Sequence, residues 1–301
     1  MTSLVPSNTP STSTVLAPTQ ASHASAPPAS WQGSSVARRD ERRDVRMAPG
    51  PAGTVTLAGR ELFLGGAGEL IDAIEALLPA REVHTVITPN VDQTLTLRTD
   101  EALGLAYDEA TIRITDGFPL VVLGHRLGAH RLERLTGADL LPLAAQVAAE
   151  RGWRIALTGG GPGVAAHAAA VLRDRTDADV VAVDFPRLSD VDDPASLEVV
   201  EALASLEPDL VFVCLGSPKQ DVWVSRWRAK LPPAVYIGAG AAVDFVAGTK
   251  RRAPRALQRL GLEWAFRLAQ EPRRLARRYL VRGPAFAMVA VRSLIAARRS
   301  R

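Results

Sequence analysis

Six short apolar runs recur along the middle of the chain: VHTVIT (83–88), TIRIT (111–115), WRIALT (153–158), VVAVDF (180–185), DLVFVCLG (209–216) and AVYIGAG (234–240). Their length and β-branched content predict strands. The intervening stretches carry apolar positions at helical spacing, as at 138–150, 162–173 and 218–230. Strands that alternate with helices predict an α/β fold, with a mostly parallel sheet and helices on both faces. Before the first run, VTLAGRELFL (55–64) has the pattern of a hairpin turning at Gly59. Strand signals stop at Pro254, and three helical pieces follow at about 254–270, 272–281 and 284–299. Pro272 and Pro284 suit first-turn positions, and Gly283 punctuates the last break.

The ends differ from this middle. Residues 1–30 hold no charged side chain and are rich in Ser, Thr, Pro and Ala. Such a stretch cannot bury enough apolar surface to fold, so residues 1–50 read as a disordered tail. Pro6, Pro10 and Pro18 interrupt any secretory h-region. The expected division is tail 1–50, α/β core 51–250 and helical appendage 251–301. No apolar run reaches the roughly 18 residues that a membrane-spanning helix needs. The single Cys214 sits in an apolar run, which excludes a disulfide framework and predicts a buried core residue.

Charge sharpens the picture of the appendage. Residues 250–301 hold 15 Lys/Arg and 2 Asp/Glu, a local charge of +13 in a chain whose net is only +4. A basic end on an acidic body implies a negative partner: nucleic acid, a phosphorylated substrate or an anionic membrane. Interleaved aromatics and nucleic-acid motifs are missing, so nucleic acid is not expected. Arg267, Arg274 and Arg277, spaced by seven and three, suit bidentate contacts to a diphosphate. The last helix mixes an apolar side with Arg292, Arg298, Arg299 and Arg301, which suits an interface with anionic lipid and equally suits packing on the core.

Ligands of open parallel sheets bind beyond the carboxyl ends of the strands. There the chain offers Thr88 to Asp92, Asp116-Gly117, Gly159 to Gly163, Gly216 to Gln220 and Gly238 to Gly240, with Asp244 close behind. Asp116 at such a rim could act as a general base, or could simply form an Asp-Gly turn. Gly159, Gly160 and Gly161 open a helix, whose free N–H groups could hold phosphate or could make only a tight turn. The same stretch satisfies G-x-G-x-x-A through Gly161 and Gly163, with Asp184 ending the next strand, so an NAD-dependent oxidoreductase stays an alternative. Asp190-Val191-Asp192 and Asp177-Ala178-Asp179 match D-x-D but lie in acidic loop sequence, and the five histidines show no ligand spacing, so no metal is expected.

Several motifs occur together: T-P-N-V-D at 88–92, D-G at 116–117, E-R-L-T-G-A-D-L at 133–140, L-T-G-G-G-P-G-V at 157–164, P-D-L-V-F-V-C-L-G-S-P-K-Q at 208–220, V-D-F-V-A-G at 243–248, R-A-P at 252–254 and G-L-E-W-A-F-R-L-A-Q-E-P-R-R-L-A-R-R-Y at 261–279. In this set the chain resembles the WecG/TagA/CpsF glycosyltransferase family over about residues 55–285. The resemblance implies a modified Rossmann-like fold with a C-terminal helical appendage. It implies inverting transfer, without metal or other cofactor, of an N-acetylmannosamine-type sugar from a UDP donor. The acceptor it implies is a polyprenyl-diphosphate-linked N-acetylglucosamine in cell-surface polysaccharide or teichoic-acid-type synthesis. The implied location is cytoplasmic and peripheral, on the inner face of the plasma membrane, and a homo-oligomer is compatible with it. By motif position Asp116 would be the base. Thr88, Asn90 and Gln220 would line the sugar and acceptor pocket, and Arg267, Arg274 and Arg277 would neutralise the leaving diphosphate. The chain departs from the pattern where Asp221 follows Gln220 in place of the usual Glu, and where DFPRL (184–188) replaces a Gly-Tyr-Phe turn.

Overall fold

The computed structural model describes residues 44–276, 280 and 282–299, with only the backbone of Arg274. The strands are β1 (Met47–Pro49), β2 (Val55–Leu57), β3 (Arg60–Glu61), β4 (Val83–Ile87), β5 (Ile112–Arg113), β6 (Arg154–Gly159), β7 (Asp179–Val183), β8 (Leu210–Cys214) and β9 (Ala234–Gly238). The helices are α1 (Ala67–Glu75), α2 (Val91–Thr96), α3 (Glu101–Glu109), α4 (Phe118–Arg126), α5 (Gly137–Arg151), α6 (Val164–Thr176), α7 (Ser196–Leu206), α8 (Lys219–Trp227), α9 (Ala242–Val246), α10 (Arg255–Arg259), α11 (Glu263–Gln270), α12 (Pro272–Ala276) and α13 (Gly283–Arg299).

Six strands form one sheet in the order β5-β4-β9-β8-β6-β7, and every neighbouring pair is parallel. The two central strands, LVFVC and AVYIG, are buried at every position, as strands covered on both faces must be. The molecule is thus an α/β protein with a parallel sheet between helical layers and a C-terminal helix. One layer packs α1, α5, α6 and α9 through Leu70, Leu141, Ala168 and Val243. The other packs α7 and α8 through Val199, Leu203 and Trp223, whose indole N–H donates to Ser196 Oγ at 3.1 Å.

A second, three-stranded antiparallel sheet has the order β1-β2-β3. Its β2–β3 turn at Ala58-Gly59 is the hairpin that the sequence predicts. Its β1 lies inside the expected 1–50 tail, so the described stretch from Asp44 to Gly50 is corrected to part of this sheet and its flank. Met47 is fully buried, and its N–H donates to the Ser293 hydroxyl of α13 at 2.9 Å. Composition misses a three-residue strand that pairs with β2 and is held from its other side by a helix almost 250 residues away. The same cluster holds Leu57, Leu95, Tyr107 and Leu120 together with Phe286, Val289 and Ala297, so α13 packs on the core.

Parallel pairing puts all six carboxyl ends on one edge. From β6 the chain runs outward through α6 to β7, while from β8 it runs the other way through α8 to β9. The loops after β6 and β8 diverge and leave a crevice, the switch point where open sheets bind ligands. Gly159 closes β6 there with φ +94°, and a Cβ on it would stand 2.7 Å from the Cys214 carbonyl group. Only glycine fits this close approach between the two strand ends.

Candidate active site

A cleft of about 1070 Å³ opens along this edge. It is lined by Thr88 and Asn90 after β4, Asp116 after β5, Gly159 to Gly163 at and after the end of β6, Asp184 to Leu188 after β7, Leu215 to Ser217, Lys219 and Gln220 after β8, and Ala239, Gly240 and Asp244 after β9. The appendage closes it with Gly261, Glu263, Trp264, Arg267 and Phe286. Residues as far apart as Thr88 and Phe286 thus share one cavity.

Asp116 is fixed by its backbone. Its N–H donates to the Pro89 carbonyl at 2.9 Å, and its carbonyl accepts from Arg134 Nε at 3.0 Å. Arg134 reaches it because Arg134 and Thr115 form a parallel bridge, next to a Leu135 N–H bond to the Thr115 carbonyl. Arg134 Nη2 stands 3.8 Å from Asp116 Oδ1 and 2.7 Å from Glu263 Oε2. Arg252 faces the other Glu263 oxygen at 3.7 Å and grips both oxygens of Asp139 at 2.6 and 2.7 Å. Asp139 also accepts from the Thr136 hydroxyl, which caps α5. Burial pushes the Asp139 carboxyl up, but the Arg252 and Thr136 hydrogen bonds outweigh it and hold it below its ordinary value. Charges therefore alternate along Asp139, Arg252, Glu263, Arg134 and Asp116.

Of the residues the sequence singles out, Asp116, Thr88, Asn90, Gln220, Gly159, Gly160, Gly161, Asp244 and Arg267 all line the cleft. Several also hold its frame. Thr88 Oγ1 donates to the Gly238 carbonyl at 2.9 Å, Asn90 caps α2 by accepting from the Gln93 N–H, and Gln220 Oε1 accepts from the Gly240 N–H at 3.0 Å. A Cβ on Gly238 would meet Gln220 and Asp221 within 2.6 Å, so this glycine lets α8 lie against the end of β9. Asp244 pairs with Lys250 at 3.2 Å, and Arg267 stacks over the Phe245 ring with its guanidinium 5.8 Å from the centroid. Arg277 lies outside the described residues, as does the Arg274 side chain. Of the D-x-D carboxylates, Asp190 lines the cleft, Asp192 pairs with Arg226 and Asp179 with Arg154. Among the described residues no group of three or more His, Cys, Asp or Glu side chains could hold a metal ion.

Residues 55–300 match the model of the Glycosyl transferase WecG/TagA/CpsF family. The chain belongs to this family. Its activity is accordingly that of a glycosyltransferase in cell-surface polysaccharide synthesis, a class that takes a sugar-nucleotide donor and a lipid-linked acceptor. Membership favours transfer over the oxidoreductase reading of Gly161, Gly163 and Asp184. The glycine turn that suggested a dinucleotide site is left-handed at Gly159, Gly160 and Gly163 and serves strand packing as well as the cleft. Sequence reasoning missed Arg134, Arg252 and Glu263 as members of the site, although all three stand inside quoted motifs. Their signal was a conjunction of charges that only the fold brings together. No described helix is long and apolar enough to cross a membrane.

Proposed function

We propose that the chain transfers an N-acetylmannosamine-type sugar from a UDP donor to a polyprenyl-diphosphate-linked N-acetylglucosamine, with inversion and without a metal. The observation that carries this reading is Asp116 on one wall of the cleft and Arg267, from the appendage, on another. In the transfer, the acceptor hydroxyl attacks the anomeric carbon from the face opposite the UDP. Asp116 takes the hydroxyl proton as the new C–O bond forms. The bond from the anomeric carbon to the diphosphate oxygen breaks, and negative charge grows on the departing UDP. Arg267, with Arg274 and Arg277, neutralises that charge, a contribution realised only as the bond breaks. The glycine turn Gly159 to Gly161 and the Asp244 carboxylate are assigned to the nucleotide; the Gly160 N–H is spent on the Cys214 carbonyl at 2.9 Å, so this turn's contribution is close backbone approach rather than that donor. Thr88, Asn90 and Gln220 are assigned to the sugar and acceptor wall.

The test is UDP release from a panel of UDP-sugars mixed with a short-chain lipid-diphosphate acceptor. UDP-N-acetylmannosamine should give the highest kcat/KM, and a chelator should leave the rate unchanged. Asp116→Asn should lower kcat by about 10²- to 10⁴-fold with an unchanged circular dichroism spectrum. A fully active Asp116→Asn enzyme removes Asp116 from the mechanism.

A further inference from the structure

Of the alternating charges beside Asp116 only Asp139 is exposed; the others are half-buried or more. Glu263 is only 13% exposed, and it sits at the first position of α11, one turn before Arg267. It is the carboxylate that the appendage contributes to this chain of charges, beside Arg252 from the start of the same segment. Its carboxylate holds one guanidinium, Arg134, at 2.7 Å and faces a second, Arg252, at 3.7 Å. Arg134 in turn is shared: hydrogen-bonded to Glu263, it stays at ion-pair distance from Asp116 at 3.8 Å. A hydrogen bond from a guanidinium to a carboxylate would be about 1 Å shorter.

We propose that Glu263 is a positioning residue for the transfer, an appendage carboxylate that holds Arg134 back from Asp116 while it orients α11 and Arg267 over the cleft. The inference rests on the reading of Asp116 as the base. An arginine that bonds a carboxylate directly stabilises its charged form and makes it a weaker base. Sharing Arg134 with Glu263 keeps that effect partial. The remaining charged groups around this wall do not replace Glu263. Arg252 is taken by Asp139, Asp92 by Arg282 at 2.6 Å and Asp244 by Lys250, while Arg267 shares α11 with Glu263 itself. Docking of the appendage therefore does two things at once: it brings Arg267 to the diphosphate side and it sets the basicity of the group across the cleft.

The experiment uses the full chain, because α13 is part of the core. In Glu263→Gln the shape and one hydrogen-bond acceptor remain but the charge is gone, and Arg134 can swing to Asp116. We expect kcat to fall about three- to tenfold, and the acidic limb of kcat/KM against pH to move down by roughly half to one unit. Adding Arg134→Gln to that variant should return the limb to or above its original position. A merely structural role for Glu263 would lower the rate without moving the limb. An unmoved limb in Glu263→Gln therefore overturns the proposal, whatever happens to the rate. So does a limb that stays low in the double variant. Asp116→Asn in parallel separates the two readings. If it is inactive while the Glu263→Gln limb is unmoved, only this inference falls. If it is active, the base reading falls and takes the inference with it.

Discussion

At the scale of single residues, a strongly perturbed carboxylate, Asp221, stands behind the cleft. Asp221 is buried between α8, α2 and the end of β9, where Gln93 Nε2 donates to it at 2.7 Å. Burial pushes its carboxyl up to about 7, and hydrogen bonds from Gln220 and Gln93 only partly oppose this. In the unfolded chain the group loses its proton near pH 4. Between about pH 4 and pH 7 the folded protein thus holds a proton that the unfolded chain has released. Stability contributed at this site is full below pH 4 and declines as pH rises toward 7, by an amount on the order of 4 kcal/mol at most. Asp221→Asn removes the titration while keeping an acceptor for Gln93. The melting temperature of the variant should match the wild type at pH 4 and exceed it increasingly toward pH 7. Parallel melting curves across that range would show that Asp221 titrates as an ordinary carboxylate. Cys214 shows the same effect of burial on a thiol: it is pushed up to about 12, which keeps it an inert core group.

Among the elements, α13 best shows what the sequence could and could not say. Its existence, its start at Gly283-Pro284 and its basic end follow from local patterning. Its address does not, because an amphipathic helix with Arg292, Arg298 and Arg299 fits a lipid surface and a protein surface alike. The fold resolves this by putting Phe286, Val289 and Ala297 into the cluster around Met47 and Leu57, and by tying Arg282 to Asp92 and to Thr96 Oγ1. The six sheet strands were legible because each carries a short run rich in apolar and β-branched residues. Strand β1 was not, because three residues carry no periodicity. The cleft's glycines and Asp116 were legible from their places after strands. The Glu263 pairing was not, because nothing local links position 263 to position 134. Packing of α13 predicts that Phe286→Ala costs about 3–4 kcal/mol, through lost burial and the cavity left behind. Ile295→Ala, on the exposed side, should change stability by less than about 0.5 kcal/mol. Chemical denaturation of both variants checks this, and equal small losses would mean that α13 is not part of the core.

The whole molecule is divided by charge as well as by shape. The basic end and the acidic remainder of the chain meet at the cleft, where Arg134 of the remainder takes up Glu263, the first of only two acidic residues among residues 250–301. On the outer side of α13, Met288, Val291 and Ile295 are exposed beside Arg292, Arg298 and Arg299. A helix with one side locked into the core and the other apolar and basic can lie on an anionic bilayer without unfolding anything. The proposed lipid-linked acceptor makes that arrangement useful, since Gly283 and Phe286 at the start of the same helix line the cleft. Membrane docking would then hold the cleft near the surface in which the acceptor is embedded. The expected result is cosedimentation with vesicles containing anionic phospholipid, weakened by salt and much reduced with neutral phosphatidylcholine alone. Each surface-facing cation contributes about 1 kcal/mol, so a double Arg298→Glu, Arg299→Glu variant should partition about 10- to 30-fold less. Since both arginines are exposed, its melting temperature should stay near the wild type and separate lost docking from lost folding. If this variant bound anionic vesicles as well as the wild type, the outer side of α13 would not be the docking surface.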